Sequence, residues 1–471
     1  MERRLLHLGS VNLILGLYVS KKPTMNSKIN LNFASTDERA RKMLYPTGIQ
    51  KRILCVFFFS LSFWCLSAQT AFELIAADPR LAFGNMYPYQ PMDTTVSQAP
   101  GGFEPFYISH FGRHGSRYDT EETSKYHILE TLKKYHDTGL FTEKGEQLYR
   151  DVLYVRKQTD GKNGMLTRRG ALEQRQIAER MYRHYRSVFS GAKKIETYTT
   201  MVPRVVESRD NFIGVLSAKV PDIKIELNYS RDDARNLQEV GGRNMTRDEM
   251  AVLNNDGTVA AVRERKWAEW TPDQFPEEIF KEPSRAGNVK MFMYQIVAVT
   301  KCVYCMDGDM PDIASYFSAY ELCNLWWRSN LVWFARHGIS EDNRGIRSDI
   351  KGRLITEAII DDVQSAIKNP GKTAATLRFG HDGDLHPLLC FLDIEGANAG
   401  SAEEVGEKAR DFELVRTGSN LQLVFYRNAK GVILVKPMLN EKECAIADLK
   451  PFEGHYYLWK DVRKFWENRN F

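Results

Sequence analysis

The apolar run FYISHFG at 106–112 ends abruptly in Arg113-His114-Gly115-Ser116-Arg117. Phe106 and Ile108 alternate with polar neighbours as in a short strand, and Gly112 and Gly115 let the backbone turn. Such a strand delivers two guanidiniums and an imidazole to one point. Burying those cations requires anions that the segment itself does not supply. An anion from outside meets the requirement: arginine forks match phosphate oxygens, and an imidazole held among them could attack phosphorus. Taken alone, the motif also fits a surface turn, so the rest of the chain decides between the two.

A second strand, Ala374–Phe379, ends in Gly380-His381-Asp382-Gly383-Asp384. Two strands thus present histidines at their carboxyl ends, the edge where open α/β sheets bind ligands. A carboxylate beside a histidine suits an acid/base role, although this dipeptide is common. Between these strands, Leu166-Thr167-Arg168-Arg169-Gly170 opens a helix with Ala171, Ala178, Met181, Tyr185 and Phe189 on one stripe. The strand Ile195–Thr200 then leads to Pro203-Arg204, and Val205, Ser208, Phe212 and Leu216 mark the following helix. Arg204 therefore sits at a strand-to-helix handover, a position that favours an anion. Leu354, Ile359, Val363 and Ile367 outline another helix, and Asn420–Arg427, Gly431–Lys436 and Asn440–Glu441 form an alternating β-rich tail.

The net charge of +5 over 471 residues is misleading. Residues 1–68 hold ten Lys/Arg and three Asp/Glu, leaving 55 basic against 57 acidic residues beyond. A nucleic-acid partner therefore has no global electrostatic support. Residues 51–68, KRILCVFFFSLSFWCLSA, have the charged start, apolar centre and small-residue exit of a signal peptide, so export to the periplasm or the exterior is expected. An uncleaved anchor is the alternative. Residues 1–50 ahead of it read as an over-extended start, with Met25 and Met43 as other initiation points. No membrane association is expected once the leader is removed.

Beyond the leader lie Cys302, Cys305, Cys323, Cys390 and Cys444, an odd number that predicts at least one free thiol in a monomer. Cys302 and Cys305 have the spacing of half a zinc site or of a redox pair, but no second CxxC or HxxxH follows, so a structural disulfide or free thiols is the better reading than a metal. Residues 225–345 carry the NNDGT turn at 254–258, Trp267, Trp270, and a helix through Tyr320–Arg336 with Trp326, Trp327 and Trp333. They read as a mostly helical insertion whose aromatics form core. Asn228 and Asn244 open glycosylation sequons.

Taken together, these residues resemble the histidine acid phosphatases, the branch of the histidine phosphatase superfamily that includes phytases and multiple inositol polyphosphate phosphatases. The resemblance rests on Arg113-His114-Gly115-Ser116-Arg117, the stretch 166–185, Arg204 with Glu207-Ser208, His381-Asp382, NLQLVFYR at 420–427 and Leu439-Asn440-Glu441. Tyr118 and LRFGHDGDLHPLL at 377–389 look most like the inositol polyphosphate branch, which usually carries His-Ala-Glu where this chain has His381-Asp382-Gly383.

The resemblance implies an α/β fold with a central, mostly parallel sheet flanked by helices (phosphoglycerate-mutase-like) and an inserted helical cap. Core segments are expected at 69–120, 166–224 and 346–471, and cap segments at 121–165 and 225–345. It implies a phosphohistidine on His114, a proton donor in Asp382, and phosphate binding by Arg113, Arg117, Arg204 and His381, with no metal or other cofactor. Lys125, Arg168 and Arg169 are candidate secondary contacts for a highly charged small-molecule phosphomonoester. A broad-specificity or sugar-phosphate phosphatase is the rival reading. A phosphate-binding protein without turnover is another.

Overall fold

The computed structural model describes residues 69–90, 96–191, 193–229, 237, 257–341 and 348–469. The expected leader and early start, the Asn244 sequon and positions 254–256 of the NNDGT turn lie outside them.

Eight strands form one sheet: β1 Phe103–Arg113, β2 Lys194–Thr199, β3 Lys224–Asn228, β4 Thr373–Gly380, β5 Asn420–Asn428, β6 Ile433–Leu439, β7 Lys442–Glu443 and β8 Tyr457–Leu458. The spatial order is β3-β2-β4-β1-β5-β6-β7, with β8 on β6. Its β3-β2-β4-β1 half is parallel, as expected of strands joined through helices, and the ladders from β1 through the tail are antiparallel. The sheet is therefore mixed, and its parallel half carries the histidine motifs.

The helices that concern the site are α1 Ala71–Ala77, α2 Ile128–Asp137, α3 Glu143–Thr159, α4 Arg168–His184, α5 Pro203–Lys219, α6 Gly257–Glu269, α7 Phe275–Ile279, α8 Val289–Val299, α9 Ala319–His337, α10 Arg353–Lys368, α11 Asp382–Phe391 and α12 Trp459–Glu467. Alternate residues of the central strands serve two cores. Tyr107, Phe111, Leu421, Leu423 and Phe425 pack with Ile359 and Val363 of α10, Leu388 of α11 and Trp466 of α12. Ile108, Leu377, Phe379 and Val424 face the other way, onto Ile177 and Met181 of α4 and Phe212 and Leu216 of α5. Helices thus cover both faces, which is why β1 and β4 are buried along most of their length.

A third core is helical. Leu132 of α2, Leu148 and Val152 of α3, Phe275 of α7, Phe292 of α8 and Trp326 of α9 share it, which draws the two expected cap segments into one layer. Trp270 is buried there, in keeping with an aromatic core. One boundary differs from expectation. Ala71, Ile75, Ala82, Phe83 and Tyr87 lie within the stretch assigned to the sheet core, yet they pack into this helical cluster. Their apolar side chains follow α1 and a 3-10 segment, Pro79–Met86, onto α9 and its neighbours, and the chain joins the sheet only at Phe103.

Candidate active site

Strand register brings the two histidine motifs together. In the parallel β1/β4 ladder Arg113 lies opposite Gly380, so His114 and His381 are the next residues on neighbouring strands. The His114 amide donates to the Gly380 carbonyl at 3.1 Å, and the two rings sit edge to face with centroids 5.5 Å apart. In the β2/β4 ladder Thr199 lies opposite Phe379, which places the Thr200 hydroxyl 3.4 Å from Nε2 of His381.

The loop after β1 is locked against the start of α4. A Cβ on Gly115 would lie 2.3 Å from the Gly170 carbonyl oxygen, and one on Gly170 would lie 2.2 Å from that of Ser116. Only paired glycines permit this approach. Neighbouring side chains satisfy several of the loop's polar groups. Glu173 accepts from the Ser116 amide at 2.8 Å and its hydroxyl at 2.7 Å, Gln174 donates to the Arg113 carbonyl, and Ser208 of α5 accepts from the Gly115 amide at 3.1 Å. Burial pushes the Glu173 carboxyl up to about 7.

His114 is buried, and its Nδ1 is 2.8 Å from the Gly115 carbonyl oxygen. A carbonyl only accepts, so Nδ1 carries the proton and Nε2 keeps its lone pair. Burial, then the charges of Arg113 and Arg204, and then His381 and Arg117, hold the ring well below the usual imidazole range. His381 is likewise lowered, to about 4, by burial and then Arg204. Both rings are therefore neutral near pH 7, and Nε2 of His114 has a free lone pair that could serve as a nucleophile without prior deprotonation.

Arg113 is fully buried. Its guanidinium donates to the carbonyls of Asn85 and Val415, and Nη2 lies 2.7 Å from Oδ2 of Asp382. Burial opposes ionisation of Asp382, but Arg113, then His381 and Arg117, outweigh it and hold the carboxyl below its ordinary range. Arg117 donates to the Tyr118 carbonyl and reaches the Cys302 sulfur at 3.6 Å. Arg204 lies in the first turn of α5, where its charge acts on both histidines. The structure thus brings His114, Asp382, Arg113, Arg117, Arg204 and His381 into one cluster.

Lys125, Arg168 and Arg169 stand apart from that contact network. Lys125 is exposed and pairs with Glu121 at 3.5 Å. Arg168 and Arg169 are exposed at the start of α4, and their amides donate to the Asp307 carboxylate at 2.8 and 3.1 Å. The five cysteines are free thiols, which selects that alternative over a disulfide, and no group of three metal-ligating side chains occurs among the described residues.

Several contributors escaped the sequence reading. Glu173 and Gln174 face the α4 core beside Ile177 and Ala178, and two polar residues on a core-facing stripe were a usable signal. Asn85, which donates to Oδ2 of Asp382 at 2.8 Å, had none.

The comparisons agree with this geometry. A sequence profile of the histidine phosphatase superfamily (branch 2) matches residues 111–440. No curated protein sequence matches the chain significantly. Among solved structures, the Bifidobacterium longum multiple inositol polyphosphate phosphatase is similar at 18% identity, covering 82% of this chain and 97% of its own; its complex with inositol hexasulfate superposes with a TM-score of 0.66 and its phosphate complex with 0.67. The phytase from D. castellii is 15% identical over 82% of this chain and 84% of its own, with a TM-score of 0.57. With the profile spanning both motif strands and the loop, helix and register that unite them, the chain belongs to branch 2 of the histidine phosphatase superfamily and is a phosphatase.

Proposed function

We propose that this phosphatase is exported and hydrolyses inositol polyphosphates, phytate-like substrates, through a phosphohistidine. The observation that carries the mechanism is the His114 ring, fixed by its Nδ1 contact so that Nε2 is the nucleophile, with four cationic or hydrogen-bonding side chains and a carboxyl around it. Nε2 attacks phosphorus, the phosphorus–ester oxygen bond breaks, and Asp382 gives its proton to the departing oxygen. Water then attacks phosphorus and gives a proton to Asp382 as the phosphorus–nitrogen bond breaks, returning its electron pair to Nε2 and releasing inorganic phosphate. Arg113, Arg117, Arg204 and His381 stabilise the charge on the transferring group.

The substrate class draws support from the similar fold whose complex holds inositol hexasulfate. Arg168 and Arg169, exposed beside the His114 loop, supply charge for further phosphates. The test of chemistry is His114→Ala, which abolishes turnover, together with acid-quench trapping, which finds label on His114 in the wild type. Label on another residue overturns the mechanism. The test of substrate is kcat/KM for phytate and glucose 1-phosphate at two ionic strengths. Preference for phytate that falls with salt supports the proposal, since screening acts within about 10 Å at 0.1 M. A salt-independent preference for the sugar phosphate favours the broad-specificity reading. Export is tested by sequencing the secreted protein, whose N-terminus should follow Ala68.

A further inference from the structure

The turn Phe83–Met86 precedes the matched family segment, yet it meets the catalytic cluster at two atoms. The carbonyl of Asn85 accepts from Arg113, and its side-chain amide donates to Oδ2 of Asp382 at 2.8 Å. The turn is built for this placement. Gly84 has φ 58°, and a Cβ there would lie 2.5 Å from Oδ2 of Asp411. That same carboxylate accepts from the Asn85 amide N–H at 3.0 Å, while its other oxygen accepts from Nε1 of Trp326 at 2.8 Å. Asn85 itself is half-buried.

Asp382 shows why such a contact matters. Oδ2 accepts from both Arg113 and Asn85, and Oδ1 accepts from the Gly383 amide at 3.0 Å. The carboxylate is therefore held as an anion by Arg113. A proton donor must give up that partner, and a bound phosphate dianion is the competitor that draws Arg113 away. One lone pair of Oδ2 then becomes available for a proton, and the Asn85 amide remains to fix the carboxyl's direction. We propose that Asn85 is the positioning residue of the proton donor, keeping the Asp382 carboxyl aimed at the leaving oxygen while Arg113 turns to the phosphate.

This inference rests on the acid/base reading of Asp382 given above, and its test separates the two. Both backbone contacts of Asn85 survive a side-chain change, so Asn85→Ala removes the amide alone. In Asn85→Ala, kcat for glycerol 2-phosphate should fall on the order of tenfold more than kcat for nitrophenyl phosphate, because only the poor leaving group needs its proton at departure. The descending limb of the kcat–pH profile should move upward, since a hydrogen bond to the carboxylate favours the ionised form. The other charged or titratable groups facing Asp382 are Arg113, Arg117, His381, His337 of α9 and His386 of its own helix, all unchanged by the substitution. Asn85→Asp sets a second carboxylate against the first and should move the limb further, which keeps the test available if the alanine variant does not fold. Equal losses for both esters with an unmoved limb overturn the role of Asn85 while leaving the phosphohistidine intact. Equal losses for both esters in Asp382→Asn overturn the underlying acid/base reading as well.

Discussion

Asp384, the second carboxylate of the His381–Asp384 motif, is fully buried, as is Lys351 on the turn leading into α10; their charged atoms are 3.3 Å apart. Asp384 also accepts from the His381 amide at 3.1 Å, capping α11 beneath His381 and Asp382. At that separation and an effective dielectric of about 20, the attraction is about 5 kcal/mol. Removing one partner strands a buried charge, at a cost of about 3–5 kcal/mol. Asp384→Asn and Lys351→Met should each destabilise by that amount, and the double variant should recover most of it. Equilibrium urea unfolding followed by two probes gives the four stabilities and hence the coupling energy. Asp384→Asn keeps an acceptor for the His381 amide, so kcat should survive better than in Asp384→Ala. A coupling below about 1 kcal/mol would show a hydrated pair, equivalent to a surface ion pair, and refute the reasoning.

Asp382→Asn should slow alkyl phosphates more than nitrophenyl phosphate; equal losses, measured by kcat for each ester, would restrict Asp382 to binding. His110 is buried between Phe212 and Phe379, its ring nitrogens lack hydrogen-bond partners among the described residues, and burial lowers it to about 3. Because the unfolded state binds its proton near pH 6.5 and the folded state does not, stability is lost as pH falls below that value. His110→Phe should therefore remove about 2 kcal/mol of the loss between pH 7 and pH 5, read from urea midpoints at both pH values. Gly115→Ala should cost about 1–3 kcal/mol and most of the activity, because its Cβ meets the Gly170 carbonyl; thermal melts and kcat together check it. Chelators should leave kcat unchanged, since side chains fill each charge-stabilising role, and metal-restorable loss would contradict that assignment.

The sequence by itself determined the elements that carry the motifs and named the candidate reactive groups. Alternation at Phe106 and Ile108 marks β1, a 3.6-residue period marks α5 through Val205, Ser208, Phe212 and Leu216, and the motifs stand beside the strands that deliver them. These are local properties: side-chain period and turn chemistry act over a few residues. Tertiary structure decided what meets what. The register that pairs Arg113 with Gly380 depends on how two cores accept alternate faces of one sheet, and no single strand specifies it. The same holds for Glu173 under the His114 loop and for Lys351 under Asp384, whose side chains become informative only when burial obliges them to find partners. Asn85 is the extreme case. It reaches Asp382 across 297 positions, held by Asp411 and Trp326 from other parts of the chain, and a hydrogen bond between residues so distant exists only after packing has brought their backbones together.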